Sequence, residues 1–245
     1  IDAPTMIAMN AAVRVSRRTE ADVASSFLAT SLRLGGAAAE PSRAARIAAR
    51  TREHLALVLS SLLAAIACAV PLGVYAARRP RVGAVVLGVA GVLQTVPSLA
   101  LLVLLIPLLG IGVGPAVAAL FLYSLLPVVQ NTVTGLRGIA PSLRESAEVL
   151  GLPPRARLLR IELPLAMPSI LAGVRTAAVI SVGTATLGAL VGAGGYGQPI
   201  MTGIRLDATA TILEGAVPAA LLALVTQAIF TWLERRLIPR GLRHA

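Results

Sequence analysis

The chain has 245 residues, of which 56% are hydrophobic and only 13% are charged, and its mean hydropathy is +0.83. A soluble domain usually has about 25% charged residues, so the composition excludes an ordinary soluble domain. The net charge is +11 and every basic residue is Arg, but aromatic residues are only 3% and the Arg residues stand in short clusters. A nucleic-acid partner is therefore not expected. One cysteine, Cys68, and two distant histidines, His54 and His244, argue against a disulfide framework, a metal site and histidine catalysis.

Five apolar stretches predict five membrane spans, because roughly 20 apolar residues cross the core of a bilayer. They lie at about 55–77, 83–108, 115–136, 166–190 and 209–233. The second and third share one long uncharged run, which we expect to be divided by a turn in the Gly/Pro-rich segment that follows residue 109. The predicted fold class is an all-α integral membrane protein with about five transmembrane helices in the lipid bilayer.

The Arg residues outside these stretches predict the orientation of the chain. They gather between the first and second spans, between the third and fourth, and in the tail after the fifth, whereas the opposite loops contain only Arg205. Positive residues favour the cytoplasmic side. The loop between the third and fourth spans and the C-terminus are therefore expected in the cytoplasm, and the N-terminus outside it.

Between the third and fourth spans lies a charged island in an otherwise apolar chain. Ser142 and Glu145 have the spacing of a capping box, which predicts a helix that begins at Ser142. Gly151 is placed to end that helix in a left-handed conformation. The proline pair 153–154 predicts the start of a second, amphipathic helix, which we expect to end at Leu163-Pro164. Composition alone also fits an ordinary solvated loop.

The spacing within this island resembles the EAA loop of ABC importer permeases, whose pattern is EAA-x3-G-x9-I-x-LP. The matching residues are Glu145, Ser146, Ala147, Gly151, Ile161, Leu163 and Pro164, with Ser146 where the family prefers alanine. In that family the loop forms coupling helices that dock into a groove on a cytoplasmic ATPase. The resemblance implies that residues 138–164, here named the coupling loop, bind ABC ATPase subunits.

Longer stretches resemble the glycine betaine/carnitine/choline branch of these permeases. They read LQTVPSLALLVLLIPLLGIG, PAVAALFLYSLLPVVQNTVTGL and TAAVISVGTATLGALVGAGGYG, and the similarity covers residues 54–240. It implies the permease of an osmoprotectant importer in the bacterial inner membrane, with a second permease subunit (identical or different) and an extracytoplasmic solute-binding protein or fused domain. Amino-acid or methionine-type importers share much of this sequence texture. A membrane protein that docks a cytoplasmic partner without transport is the alternative from another class.

The chain contains no Lys and therefore cannot have a Walker A loop, which requires one. It also lacks a Ser/His/Asp set, paired carboxylates and metal-ligand spacing. We expect no enzyme activity and no cofactor in this chain, with ATP and Mg bound by the partner ATPase. Aromatic residues that could cage a quaternary ammonium group are scattered, so solute selectivity is expected to come from the binding protein.

Polar residues within the spans are candidates for the translocation path, because they are costly in lipid and tend to face the interior of the bundle. The candidates are Gln94, Thr95, Ser98, Asn131, Thr132, Ser181, Thr184 and Glu214. Interhelical hydrogen bonds and packing explain each of them as well, and Glu214 also fits an outer-leaflet carboxylate near water. Arg175 is expected to snorkel to the membrane surface.

The glycine-rich loop between the fourth and fifth spans is expected outside the membrane. Gly194, Gly195, Tyr196 and Gly197 form its centre, with Tyr196 where the resembling family usually has leucine. A loop without Lys or a following strand–helix unit does not fit a phosphate cradle. The glycines instead predict a flexible or tightly packed gate loop.

Residues 1–35 resemble the last stretch of the binding proteins that serve such permeases, which end with a helix, a short strand and a helix closing on Phe-Leu. The residues that fit are Met6, Met9, Asn10, Val23, Ala24, Phe27 and Leu28. The resemblance implies the end of a fused binding domain, followed by a linker at 36–53. An external N-terminus would then tolerate its many Arg residues, because folded exported domains translocate largely regardless of charge. The alternative is an upstream extension with no native role.

Overall fold

The computed structural model describes residues 2–16, 18, 20–31 and 42–237. Every regular element in these ranges is helical, which confirms the predicted all-α class. The chain forms two compact units, Ile1–Arg46 and Ile47–Ala245. Residues 36–41 of the predicted linker, and the end of the Arg-rich tail with His244, lie outside the described residues.

The first unit contains two helices, α1 (Ala3–Arg14) and α2 (Glu20–Ser31). α1 begins after Asp2, whose carboxylate accepts a hydrogen bond from the Thr5 N–H at 3.2 Å, as expected of an N-cap residue. The described residues between the helices contain no strand, although the resemblance to binding proteins implies one there.

The second unit is built from nine helices within the described residues and two short irregular helical segments. The helices are α3 (Arg43–Arg78), α4 (Pro80–Thr95), α5 (Ser98–Leu109), α6 (Val113–Arg137), α7 (Pro141–Val149), α8 (Pro154–Arg157), α9 (Leu163–Thr184), α10 (Gly197–Arg205) and α11 (Thr209–Leu237). A π-helical turn, Leu158–Glu162, joins α8 to α9, and a 3-10 helix, Ala185–Val191, follows α9. Four helical stretches are long and apolar enough to cross a membrane, and the pair α4–α5 makes a fifth if it is counted as one span.

The helix of the first span is longer than its apolar stretch. α3 begins at Arg43, twelve residues before the predicted start of the span and inside the predicted linker. The added segment, RAARIAARTREH, is rich in Ala and Arg, which are strong helix formers. Hydropathy therefore marks the part of α3 that suits lipid, while helix propensity extends the helix beyond it.

The predicted second span, 83–108, is not one straight helix. α4 and α5 meet at 100°, because Pro97 has no N–H to continue the helix and biases the preceding residue away from helical geometry. Val96 accordingly has φ −68° and ψ 126°. The Tyr123 hydroxyl donates to the Val96 carbonyl, and Gln94 Nε2 donates to the Tyr123 carbonyl at 3.0 Å. The first bond satisfies a carbonyl at the break, and the second satisfies a carbonyl of α6 that Pro127, four residues later, cannot bind because it has no N–H.

The core consists of small and branched side chains between α3, α6 and α9. A Cβ added to Gly173 on α9 would lie 2.5 Å from the Pro127 carbonyl oxygen of α6, and one added to Gly73 on α3 would lie 2.6 Å from Thr132 Cβ. Such close approach of backbones is typical of helix packing in membranes.

Candidate functional site

The coupling loop begins with α7, which starts one residue earlier than predicted. Its N-cap is Ala140, and no side chain caps it, so the predicted capping box of Ser142 and Glu145 does not form. Pro141 is suited to the first helical position and moves the start upstream of Ser142. Ser142 instead lies in the first turn, where its carbonyl accepts a hydrogen bond from Ser146 Oγ at 2.8 Å.

Gly151 ends α7 in the predicted left-handed conformation, with φ +70°. The Gly151 N–H donates to the Glu148 carbonyl at 2.9 Å, and the Leu152 N–H donates to the Ala147 carbonyl at 3.2 Å. These two bonds define a Schellman motif. Ala147 is buried beneath the turn, so the small residue in the pattern is required by packing.

The second helix of the coupling loop was predicted to end at Leu163-Pro164, and this prediction is wrong. The helix continues through the π-helical turn into α9. One helical run extends over Pro154–Val191. Within the turn the Leu163 N–H donates to the Leu158 carbonyl, five residues back, where an α-helix would reach four. Pro164 comes directly after the turn, in the first turn of α9, where a missing N–H is tolerated.

The π-helical turn ends at Glu162, a charged side chain that is only 7% exposed. Its carboxylate lies 3.1 Å from Arg78 Nη2 and 3.4 Å from Arg157 Nε. Arg157 also donates to Glu148 on α7. A buried carboxylate requires such partners. Glu162 therefore joins both helices of the coupling loop to the last residue of α3.

Two further arginines attach the ends of α3 and α6 to the loop and to each other. Arg144 of α7 donates to the Leu136 carbonyl. Arg137 Nη2 donates to the Ala76 carbonyl at 3.1 Å. Arg144, together with Glu162, Arg78 and Arg157, borders a polar cavity of about 440 Å³. These contacts hold the loop in one position against the helix ends.

The opposite side of the coupling loop exposes apolar side chains. Val149 and Leu150 are 87% and 77% exposed, and Leu143 and Leu159 are about half exposed. Glu145 and Ser146 of the EAA pattern are exposed as well, whereas Ile161 and Leu163 are partly buried. Sequence reasoning missed Val149 and Leu150, although two adjacent apolar residues directly before a helix-ending glycine are a readable signal.

The glycine loop, defined here as residues 192–197, packs closely against α3 and its neighbours. Gly194 and Gly195 have φ of +80° and +76°, which side-chain-bearing residues rarely adopt. A Cβ at Gly194 would lie 2.6 Å from Glu53 Oε2, and one at Gly197 would lie 1.7 Å from the Thr186 carbonyl oxygen. The sequence predicted either a flexible or a tightly packed loop, and the structure shows tight packing.

Three residues within about one turn of α3 fix this loop. The Gly195 N–H donates to Glu53 Oε2 at 2.8 Å, and the Tyr196 hydroxyl donates to Thr51 Oγ1 at 2.8 Å. His54 is fully buried, with its ring centroid 4.6 Å from that of Tyr196.

The contacts of the His54 ring also assign its tautomer. Nε2 lies 3.0 Å from the Val182 carbonyl oxygen, and Nδ1 lies 3.5 Å from the Tyr196 N–H. A neutral imidazole with its hydrogen on Nε2 satisfies both contacts. Sequence reasoning missed Glu53 and His54, because their partners on the loop are 142 residues away.

The polar residues considered for the translocation path occupy different environments. Thr132 and Ser181 are buried among the helices of this chain; Thr132 Oγ1 donates to the Val128 carbonyl at 2.7 Å, and Ser181 Oγ lies 3.0 Å from Ser124 Oγ. For these two, the geometry supports the alternative of interhelical packing.

The other path candidates are partly or largely accessible. Gln94, Thr95 and Ser98 lie at the bend between α4 and α5, Asn131 at the contact of α6 with α9, Thr184 at the end of α9 and Glu214 on α11. Arg175 does more than snorkel, because its Nη1 lies 3.0 Å from Glu234 on α11.

Comparison with known proteins gives these features a family context. Residues 69–240 match the family described as the binding-protein-dependent transport system inner membrane component. The choline transport system permease protein OpuBB of Bacillus subtilis is 41% identical, over 79% of this chain and 89% of that protein. The carnitine transport permease protein OpuCB of Listeria monocytogenes is 43% identical, over 80% and 90%. The osmoprotectant import permease protein OsmW of Salmonella typhimurium is 42% identical, over 80% and 94%.

Among solved structures, the inward-facing MetNI methionine ABC transporter superposes with a TM-score of 0.69 at 21% identity, over 79% of this chain and 96% of that one. At this identity the likeness concerns the fold, and it confirms the helical architecture. The family model covers well over half of the chain, and several relatives are more than 40% identical to it. The chain therefore belongs to the binding-protein-dependent ABC permeases, as a multi-pass transmembrane subunit that is neither an enzyme nor a cofactor carrier, its ATPase being a separate subunit.

Proposed function

We propose that this chain is the permease of an ATP-driven importer for osmoprotectants of the choline, carnitine and glycine betaine type. One observation carries the choice of cargo: relatives named for choline, carnitine and osmoprotectant transport are 41–43% identical over about four fifths of this chain. The solute-binding protein selects the cargo, and this chain provides the passage.

The coupling loop is the surface on which the cytoplasmic ATPase docks. Its exposed side carries apolar residues, Leu143, Val149 and Leu150, of the kind that enter a groove on a partner. Its buried side is fixed through Glu162 and Ala147. The coupling loop is fixed to the helix ends on its buried side and exposes apolar residues on the other side. It is therefore suited to pass a displacement of the ATPase to the membrane helices.

The assembly that we propose contains a second permease subunit, identical or different, two ATPase subunits and an extracytoplasmic solute-binding protein. It lies in the bacterial inner membrane with the coupling loop and C-terminus in the cytoplasm. Within this chain, residues 54–240 are the transport domain, and residues 1–35 are the end of a fused binding domain joined by the segment 36–53. The helix–break–helix pattern of α1 and α2 is compatible with that origin.

The glycine loop serves as an external gate in this proposal, and the accessible polar residues contribute to the path. Gln94, Thr95 and Ser98 at the α4–α5 bend are the strongest path candidates, because transporters commonly bind solutes at discontinuous membrane helices and these three side chains are partly or largely accessible. Glu214 and Thr184 are further candidates nearer to the glycine loop in sequence.

The test is ATP-driven uptake of labelled choline, glycine betaine and carnitine in proteoliposomes that contain this chain, its ATPase and its binding protein. Two variants at Gly151 probe the coupling loop. Gly151→Pro is incompatible with φ +70° and removes the N–H that binds Glu148, so uptake should be lost. Gly151→Asn should retain most uptake, since Asn tolerates the left-handed conformation.

Three results would change the proposal. ATPase stimulation by methionine or another amino acid, without uptake of any osmoprotectant, would reject the cargo and keep the permease. An ATPase that binds without any solute transport would favour a non-transporting docking protein. Uptake at the parent level in both Gly151 variants would reject the role of the coupling loop.

A further inference from the structure

Helix α3 is bonded to the two loops described above, at its last residue and in the first third of its length. Arg78, its last residue, lies 3.1 Å from Glu162 of the coupling loop. Glu53 accepts a hydrogen bond from the Gly195 N–H of the glycine loop at 2.8 Å. The α-helical rise of 1.5 Å per residue separates these attachments by roughly 38 Å. One continuous helix therefore joins the proposed ATPase-facing loop to the proposed external gate.

The attachment at the coupling loop is built to resist movement. Glu162 accepts a charge-assisted hydrogen bond from Arg78, which is stronger than a neutral one, and it forms an ion pair with Arg157 Nε at 3.4 Å. Arg137 holds the same end of α3 by donating to the Ala76 carbonyl at 3.1 Å. A displacement of the coupling loop is thus transmitted to the end of α3.

The attachment at the glycine loop is equally specific. Thr51, Glu53 and His54 each contact Gly195 or Tyr196. A Cβ at Gly195 would lie 3.0 Å from His54 Nδ1, so the loop backbone rests directly on α3. A shift of α3 at this end therefore displaces the glycine loop.

In the half nearer the coupling loop, α3 offers small side chains to the rest of the bundle. Its buried residues there are Ala65, Ala69, Gly73 and Ala76, spaced about one helical turn apart, whereas the larger Leu57, Val58 and Leu62 are buried in the half nearer the glycine loop. Small residues leave few interlocking side chains to block sliding, and sliding of packed helices is a known mode of conformational change.

We propose that α3 carries the displacement of the coupling loop to the glycine loop, with Glu162 as a positioning residue at one end and Glu53 at the other. The proposal rests on the proposed function, because it takes the ATPase as the source of the displacement. It adds a defined route within one chain, from Glu162 through Arg78 and α3 to Gly195.

The experiment uses the complete complex in proteoliposomes, with Cys68→Ser and a spin label on Leu190→Cys, an exposed position two residues before the glycine loop. Label mobility is compared between the nucleotide-free and the vanadate-trapped ATP states. Arg78→Gln is the main variant, because its side chain is 44% exposed and its loss leaves the contact between Arg157 and Glu162 in place. Glu162→Gln is the second variant. Glu234→Gln is the matched control, since it breaks the 3.0 Å ion pair with Arg175 without touching α3.

We expect the complex with Arg78→Gln to assemble with the partner ATPase and hydrolyse ATP while the response of the label is lost. Glu162→Gln should show the same loss of the label response. The solute transported per ATP should fall about fivefold or more, within the usual range of coupling between sites. Thr51→Val and Glu53→Ala, at the other attachment of α3, should lower the solute transported per ATP in the same way. The Glu234→Gln control should keep both the label response and the transport ratio.

An unchanged label response in Arg78→Gln, or an equal loss in Glu234→Gln, would overturn the role of α3 while leaving the permease function standing. Failure of the parent complex to bind its ATPase or to transport would overturn the proposed function, and this proposal with it. Uncoupling by Arg78→Gln but not by Thr51→Val or Glu53→Ala would also reject the route, since both ends are required.

Discussion

Glycines on α9 show how single atoms determine the packing of this protein. Gly173 faces α6, where an added Cβ would lie 2.5 Å from the Pro127 carbonyl oxygen and 2.6 Å from Asn131 Cβ. Gly183, on the same helix, has open space within 4 Å. Substituting Ala at each position therefore distinguishes two effects. At Gly173 it prevents the close approach of two helices, whereas at Gly183 it changes only helix propensity.

We expect Gly173→Ala to destabilise the protein by about 1–3 kcal/mol, as overpacking usually does. Gly183→Ala should instead stabilise it by about 0.5–1 kcal/mol, because Ala is the better helix former. Thermal unfolding in detergent, followed by loss of the monodisperse peak on size exclusion, measures both. Similar midpoints for the two variants would contradict the packing described for α6 and α9.

Local chemistry predicted some residues of the candidate site and not others. The left-handed turn at Gly151 follows from residue type and spacing alone. The capping box was wrong because Pro141 competes for the same helix start and sits one residue earlier. The roles of Glu53 and His54 could not be predicted, since nothing near them in sequence indicates a partner on a distant loop.

At the scale of elements, the α4–α5 bend shows the limit of hydropathy. A window of apolar residues predicts burial in lipid whichever way the chain runs, so 83–108 read as one span. Pro97 marks the break, but the angle of 100° is stabilised by Tyr123 of α6, which bonds to the Val96 carbonyl.

Tyr123→Phe removes this bond and leaves the ring in place. We expect a loss of about 0.5–1.5 kcal/mol, the usual net contribution of one hydrogen bond, and a wider distribution of distances between spin labels on α4 and α5. Tyr75→Phe is the control, because Tyr75 is exposed. If both variants unfold at the parent temperature with unchanged label distances, the bend is set by Pro97 alone.

At the scale of the whole molecule, the distribution of Arg predicts which loops face the cytoplasm. The turn between α5 and α6 and the end of α7 lie on opposite sides in that topology, and each offers a well exposed position: Ile111 is 80% exposed and Val149 is 87% exposed. In a Cys68→Ser background, Ile111→Cys should react with a membrane-impermeant maleimide in intact spheroplasts. Val149→Cys should react only after permeabilisation. The reverse pattern would invert the proposed orientation of the entire importer.

The sequence also predicted the order of the membrane-length stretches, of which four are single helical runs and the second is the bent pair α4–α5. It did not predict how the helices are connected in space. The ion pair between Arg78 and Glu162 joins residues 84 positions apart, and only the packing of α3 against the coupling loop brings them together.

The π-helical turn Leu158–Glu162 has a consequence for how this protein tolerates change. It holds one residue more than an α-helical turn, and each residue rotates a helix by about 100°. Removing one residue there would restore a regular helix and turn the coupling loop through about that angle relative to α9. Substitutions along the exposed side of the turn should be accepted, whereas a single-codon deletion should be rejected. The number of residues in the π-helical turn, more than their side chains, sets the direction in which the coupling loop points relative to α9.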